Sequence, residues 1–294
     1  MSRIAYVNGR YVPHRDASVH VEDRGYQFAD GVYEVCAVAG GRIVDAGPHY
    51  ERLERSLREL RILPPMSRRS LDHVLNEVIR RNRIVNGIVY LQVTRGVARR
   101  DHAFPKGVPP ALVVTARATR PEAYAAQAEV GVKVVTLPDI RWERCDIKSV
   151  SLLPNVLAKQ QARQAGAWEA WLVDDEGYVT EGSSTNAWIV DRDGNIVTRH
   201  LDNGILGGVT RLSMLELARR EGVSIVERKF SVEEAKAARE AFSTSTTAFV
   251  MPIVQIDEAV VGNGHPGIMT LKLRDIYGRY AAGDGRVARM AAPN

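Results

Sequence analysis

Apolar and polar residues recur along this chain with a period that changes several times. Ile4-Ala5-Tyr6-Val7, Asn8-Gly9 and Arg10-Tyr11-Val12 read as a hairpin, because Asn-Gly suits a type I′ turn. Val32 to Val38, Gly40-Gly41 and Arg42 to Ala46 predict a second one. From Pro48 to Leu63, Leu53, Leu57, Leu60 and Ile62 fall at roughly helical spacing, and residues 67–82 predict another amphipathic helix. Gly87 to Val93 and Ala111 to Ala116 read as strands. Between them runs a polar loop, Thr94 to Pro110. Its 17 residues are long for a plain connection and mark it as a working loop.

The chain changes character around Arg117 to Gln127, which sets an expected domain boundary: residues 1–120, then 121–294. Beyond it, Val132 to Leu137 predicts a strand and Asn155 to Ala165 a helix. Ala170 to Val173 and Thr185 to Val190 predict strands, with turns at Asp174 to Gly177 and Asp191 to Gly194. Thr210 to Arg220 reads as a helix and Val223 to Val226 as a strand, and Ser231 with Glu234 forms a capping box. Ala241 to Pro252 reads as strand-like and rich in hydroxyls, and Leu271 to Ala282 as the last helix. Helices and hairpins mix without a strict βαβ repeat, so the expected class is α+β.

Composition narrows the function classes. With 45% hydrophobic and 26% charged residues in 294, the chain is globular rather than disordered. No apolar run approaches the ~20 residues of a bilayer span, so no membrane partner is expected. Residues 1–16 hold no hydrophobic signal region. Two cysteines, Cys36 and Cys145, make neither a disulfide framework nor a zinc ribbon, and a reducing, cytoplasmic setting fits them. The seven histidines (14, 20, 49, 73, 102, 200 and 265) form no HExxH or close pair, so no metal is expected. The net charge of +5 permits nucleic-acid binding. The charge is dispersed among acids, however, as in Glu51-Arg52-Leu53-Glu54-Arg55, and no nucleic-acid motif accompanies it. There is no GxGxxG after a strand, no GxxxxGK[ST] and no GxSxG.

The basic residues are sharper evidence. Of the 40, seven are Lys (106, 133, 148, 159, 229, 236 and 272) and the rest are Arg. Arg replaces Lys at most solvated positions but cannot form a Schiff base, so the seven are a short list of candidate chemical lysines. Four segments then share a theme, that of holding a phosphorylated, cationic heteroaromatic beside a lysine. Asp146-Ile147-Lys148-Ser149 puts Lys148 between a strand-like stretch and a helix start, which equally suits an ordinary surface lysine. Thr180-Glu181-Gly182-Ser183-Ser184 puts a carboxylate at a strand–turn junction, or a solvated Glu in a turn. Gly207-Gly208-Val209-Thr210-Arg211 leads into a helix whose N-terminus favours an anion, or is simply capped by Thr210. Ser243-Thr244-Ser245-Thr246-Thr247 gathers hydroxyls that want a partner, either a phosphate or water. Their joint order and spacing point one way where each alone does not.

With these stretches the chain resembles the class IV aminotransferases, the fold type IV pyridoxal-phosphate enzymes, and within them the D-amino acid aminotransferases. The likeness runs over about residues 3–283. It is carried by Asp23-Arg24-Gly25-Tyr26-Gln27-Phe28-Ala29-Asp30-Gly31-Val32-Tyr33-Glu34, the Lys148 stretch through Gln160, Glu181 to Ser184 and Gly208 to Arg211. The resemblance implies a small N-terminal α/β domain and a larger C-terminal, α/β-barrel-like domain. It implies pyridoxal 5′-phosphate joined to Lys148, Glu181 on the pyridine nitrogen, and a phosphate held by Arg52, Val209, Thr210 and Thr246. It also implies a homodimer. Arg99-Arg100-Asp101-His102 looks like the Arg-x-His segment of the D-specific members, in which Arg100, His102 and Tyr33 would take the substrate α-carboxylate, the loop coming from the neighbouring subunit. The implied reaction passes an amino group from a D-amino acid such as D-alanine to a 2-oxo acid in a ping-pong cycle. Branched-chain L-amino acid aminotransferase, (R)-amine transaminase and aminodeoxychorismate lyase share the scaffold, and a non-catalytic binding protein is the remaining alternative. Two departures stand out: Ala29 where Gly is common, and Ala248-Phe249 where Ser-Glu is common.

Overall fold

The computed structural model describes residues 3–283. They divide into two compact units. One runs through Arg120 and includes Ile147–Leu152; the other holds Pro121–Asp146 and the chain from Leu153 onward.

The first unit contains β1 (Ile4–Val7), β2 (Arg10–Pro13), α1 (Arg24–Phe28), β3 (Gly31–Ala39), β4 (Arg42–Ile43), α2 (Ala46–Glu59), α3 (Arg68–Arg81), β5 (Gly87–Thr94) and β6 (Ala111–Ala118). The strands form an antiparallel sheet in the order β2-β1-β6-β5-β3-β4. The first hairpin turns at Asn8 (φ 45°) and Gly9 (φ 94°), the left-handed pair that a type I′ turn requires. Alternation along β3 sends Val32, Cys36 and Val38 into a core shared with Tyr50, Leu53 and Leu57 of α2 and with Leu71, Leu75 and Val78 of α3. Each such side chain stabilises the unit by about 1.5–3 kcal/mol. Glu34 shares that inward parity, so this strand drives a carboxylate among apolar neighbours.

Helix α2 begins at Ala46, two residues before the apolar pattern announces it, and stops at Glu59. Pro48 lies in its first turn, where a missing N–H costs nothing. The second hairpin strand is correspondingly short, ending at Ile43. Helix α1 is too short for the apolar pattern to announce. The Asp23 carboxylate caps it by accepting from Gly25 N at 2.8 Å, and Ala29 ends it in the left-handed region at φ 55°.

The second unit contains α4 (Pro121–Val130), β7 (Val132–Pro138), α5 (Leu153–Gln164), β8 (Glu169–Val173), β9 (Val179–Gly182), β10 (Asn186–Val190), β11 (Ile196–Thr198), α6 (Val209–Arg220), β12 (Ile225–Glu227), α7 (Val232–Lys236), β13 (Glu240–Ser245), β14 (Phe249–Ile256), β15 (Ala259–Val260) and α8 (Ile268–Ala282). Eight strands run in the order β12-β11-β10-β13-β14-β7-β8-β9, with β15 on β14. The sheet is curled like a half-barrel. Trp171 on β8 donates from Nε1 to Ser243 Oγ on β13 at 3.0 Å. In a flat sheet those strands would stand about 14 Å apart, three spacings of ~4.8 Å. Inside the curl, Trp171, Ile189, Phe230, Met251 and Ile253 form the core.

Within the stretch around 117–127, Pro121 opens helix α4. The strand-like stretch Ala241 to Pro252 forms a hairpin, β13 and β14, whose turn is closed by Ser245 Oγ accepting from Ala248 N at 3.2 Å. Local hydrogen bonding by a hydroxyl side chain competes with the strand ladder there. Among the described residues no helix is long and apolar enough to cross a membrane, and no cluster of three or more His, Cys, Asp or Glu could hold a metal.

Candidate active site

The seven lysines separate clearly. Lys133, Lys159, Lys229 and Lys236 each pair with a carboxylate, of Glu258, Glu169, Glu176 and Asp257 respectively. Lys106 and Lys272 are exposed. Lys148 alone is half-buried and held by no carboxylate among the described residues. Its amine stands 4.3 Å from the centroid of the Tyr33 ring. The backbone fixes this pairing: Tyr33 N donates to Lys148 O at 3.1 Å, and Val32 and Ser149 form an antiparallel bridge. Lys148 N also donates to Ser56 Oγ of α2 at 3.3 Å. The residue thus belongs to the first unit although it lies far along the chain.

On the opposite face of β3, Glu34 binds Arg52 with two parallel hydrogen bonds, Nε to Oε1 at 2.8 Å and Nη2 to Oε2 at 2.7 Å. His49 Nδ1 lies 2.7 Å from Glu34 Oε2. Burial, the largest single influence, would raise the Glu34 pKa, but the Arg52 charge and the hydrogen bonds from Arg52 and His49 together outweigh it and hold the carboxyl at about 2. Glu34 therefore stays ionised and aims the guanidinium of Arg52.

Arg100 and His102 lie on the loop between β5 and β6. Both gather at Phe28, the last residue of α1: the Arg100 guanidinium is 4.6 Å from the ring centroid, and the His102 ring is 5.3 Å away. The Tyr33 ring instead lies beside Tyr90, at 5.8 Å. The expected carboxylate-binding residues therefore fall into two groupings.

In the second unit the expected residues surround Asn186. Its Nδ2 donates to Glu181 Oε2 and to Leu206 O, both at 3.0 Å. Its Oδ1 lies against Gly208, where any Cβ would collide with it. Its backbone is in register with Thr244, two residues before Thr246 in the β13–β14 turn. Glu181, only 5% exposed, accepts a hydrogen bond from Arg141 Nη1 at 2.5 Å and from Leu206 N at 3.1 Å. Arg141 is in turn fixed by Asp139 at 2.7 Å and by Gly204 O at 3.0 Å. Although burial opposes its charge, these carboxylates raise the Arg141 pKa.

Val209 and Thr210 open α6 behind Gly208, and no side chain caps that helix. Its first N–H groups, with the positive end of the helix dipole, make a site for an anion. Arg211, fully buried, ties this first turn to Glu227 at 2.7 Å and to Arg199 O at 2.8 Å. A bare helix N-terminus, a threonine turn and a buried carboxylate are the donor and acceptor set that a phosphorylated, cationic ring needs.

Sequence reasoning missed Arg141, Asn186, Glu34 and His49. Nothing in the local spacing of Arg141, Asn186 or His49 marks them, since each matters through a residue distant in sequence. Glu34, inside the stretch that carried the resemblance, was the one within reach: a Glu at an inward position of an apolar strand implies a buried cation.

A family model for amino-transferase class IV matches residues 31–256. A D-alanine aminotransferase of Listeria innocua is 40% identical over 272 residues, which is 92% of this chain and 93% of that protein. One from Staphylococcus epidermidis is 39% identical over 94% of this chain and 96% of its own length. Among solved structures, a T.th. branched-chain amino acid aminotransferase with pyridoxamine 5′-phosphate superposes with a TM-score of 0.89 at 26% identity, covering 96% of this chain and 95% of that one. With nearly its whole length shared and its lysine, glutamate and helix N-terminus set out as described, this chain belongs to the class IV aminotransferase family.

Proposed function

We propose that this protein is a pyridoxal 5′-phosphate-dependent aminotransferase that transfers the amino group of D-amino acids, D-alanine among them, to a 2-oxo acid such as 2-oxoglutarate or pyruvate. The observation that carries the substrate class is 40% identity, over 92% of the chain, to D-alanine aminotransferases. When bound, the cofactor supplies an aldehyde that captures the donor amine and a ring that takes up electrons from the broken Cα–H bond. Lys148 is the residue for covalent attachment, and once displaced its amine moves the proton from substrate Cα to the cofactor C4′ carbon. Glu181, held ready by Arg141, Asn186 and Leu206 N, keeps the proton on the pyridine nitrogen. The Val209 N–H, Thr210, Thr246 and Arg52 hold the phosphate. Tyr33, Arg100 and His102 take the substrate α-carboxylate, which Arg100 can grip with two parallel hydrogen bonds.

The same reading makes the chain a cytoplasmic homodimer, with the Arg100–His102 loop serving the neighbouring copy. It also divides the chain into a small domain, 1–120, and a cofactor-binding domain, 121–294. That both cysteines are buried and free fits a reducing compartment.

A second reading, branched-chain L-amino acid aminotransferase, is favoured by the name of the structural neighbour at 26% identity. Half-reactions decide between them. D-alanine should bleach the yellow holoenzyme while L-leucine and (R)-1-phenylethylamine leave it coloured; bleaching by L-leucine but not D-alanine establishes the second reading. Borohydride reduction and peptide mapping should find the pyridoxyl group on Lys148.

A further inference from the structure

The stretch Asp23 to Glu34 carries much of the family resemblance, yet the reaction as read above uses from it only Tyr33 and, through Arg52, Glu34. The structure gives Arg24 and Asp30 a common purpose. Asp30 accepts from Arg95 through two parallel hydrogen bonds, Nε to Oδ2 at 2.7 Å and Nη2 to Oδ1 at 2.9 Å. It accepts from Arg24 through Nε alone, at 2.8 Å. That single bond orients the Arg24 guanidinium and leaves its two outer nitrogens facing the loop. Nη1 donates to Asp101 O at 2.5 Å, and Nη2 reaches His102 O at 3.5 Å.

The second arginine, itself a loop residue, ties the loop to the end of α2 and to Phe104. Arg95 donates to Leu60 O at 2.7 Å and to Arg61 O at 3.0 Å. Its guanidinium also lies 3.6 Å from the centroid of Phe104. The near end of the loop is tied by backbone bonds, Ala98 N to Glu22 O at 3.2 Å and Arg24 N to Gly96 O at 2.9 Å. Arg24 and Arg95 are buried and Asp30 is largely so, at 4%, 9% and 11% side-chain exposure respectively. In such surroundings charged hydrogen bonds are strong and the geometry is sharply defined.

We infer that Asp30 and Arg24 are positioning residues: Asp30 orients Arg24, and Arg24 holds the Asp101–His102 backbone so that Arg100 and His102 present one geometry to a substrate carboxylate. This rests on the reading of that loop as the carboxylate-binding segment. A loosened loop weakens capture of the carboxylate while leaving the lysine, Glu181 and the phosphate site untouched. The loss therefore falls on KM, and misplacement of a clamp by about 1 Å can cost on the order of a hundredfold.

The test uses holoenzyme of wild type, Asp30→Asn and Arg24→Met, the last of which leaves the Asp30–Arg95 pair intact should Asp30→Asn fail to fold. KM for D-alanine should rise roughly ten- to a hundredfold while kcat changes less than about threefold. Independently of turnover, brief trypsin digestion should cut after Arg99, Arg100 or Lys106 faster in both variants than in wild type. An unchanged KM or an unchanged cleavage rate in a variant that retains cofactor overturns the inference. If wild type itself ignores D-alanine, the functional reading fails, whereas the cleavage rates still decide whether the tether exists.

Discussion

The two units meet the same need, fixed charge at a defined point, by different means. In the first, cations are aimed by buried carboxylates: Glu34 aims Arg52, and Asp30 aims Arg24 and Arg95. In the second, the positive end is bare backbone at the start of α6, and Glu181 is held by one arginine, one amide and one backbone N–H. Side-chain pairs give the first unit long reach, but each depends on a partner staying ionised. Backbone donors do not titrate, so the second unit keeps its anion site as long as the helix stands.

The largest expected effect concerns Lys148, the half-buried lysine that no carboxylate among the described residues holds. Lys148→Ala should cut the D-alanine half-reaction roughly a thousandfold or more, followed by loss of the cofactor absorbance. The next goes to the heart of the contrast. Glu34→Gln leaves Arg52 buried beside a neutral amide and should cost about 3–5 kcal/mol, read from the denaturant midpoint. The acid limb follows from the direction of the Glu34 shift. Its folded pKa, about 2, lies below the ordinary carboxylate value of 4.5. Its contribution is thus complete above the ordinary value and is lost as pH falls through about 2. Stability curves of wild type and Glu34→Gln should converge only in that acid window; convergence near neutrality would show that the pair does not hold the first unit.

Smaller effects sharpen the other side of the comparison. Thr246→Val removes a single hydroxyl from the turn and should weaken pyridoxal phosphate binding by about 1 kcal/mol, roughly fivefold, in equilibrium titration. Ala29→Gly should stabilise the first unit by about 1 kcal/mol in thermal unfolding, because Ala29 occupies the left-handed region at φ 55°. That angle also accounts for the Gly expected at this position.

Much of this was readable before any coordinates. The Asn-Gly turn, the amphipathic helices α2 and α3 and the Ser231 cap follow from local periodicity and local hydrogen bonds, and they stand where the pattern puts them, to within a few residues. Within the strand-like, hydroxyl-rich stretch, strand propensity hides the turn that Ser245 closes, where Phe249 takes φ 59°, which few aromatic residues adopt. At the other departure from the family pattern, Ala248 is buried, and its N–H is the donor in that turn.

By itself the sequence determined the alternation of strand and helix, the scarcity of lysine that brings Lys148 forward, and the glycine and threonine signals of an anion site. These are properties of neighbours along the chain, governed by torsion angles and side-chain period. What only the tertiary structure decided is which charges meet. Glu34 with Arg52, Glu181 with Arg141, and Asp30 with two arginines are separated by 6 to 65 residues, and a charge buried by its strand is tolerable only where folding brings it an opposite charge.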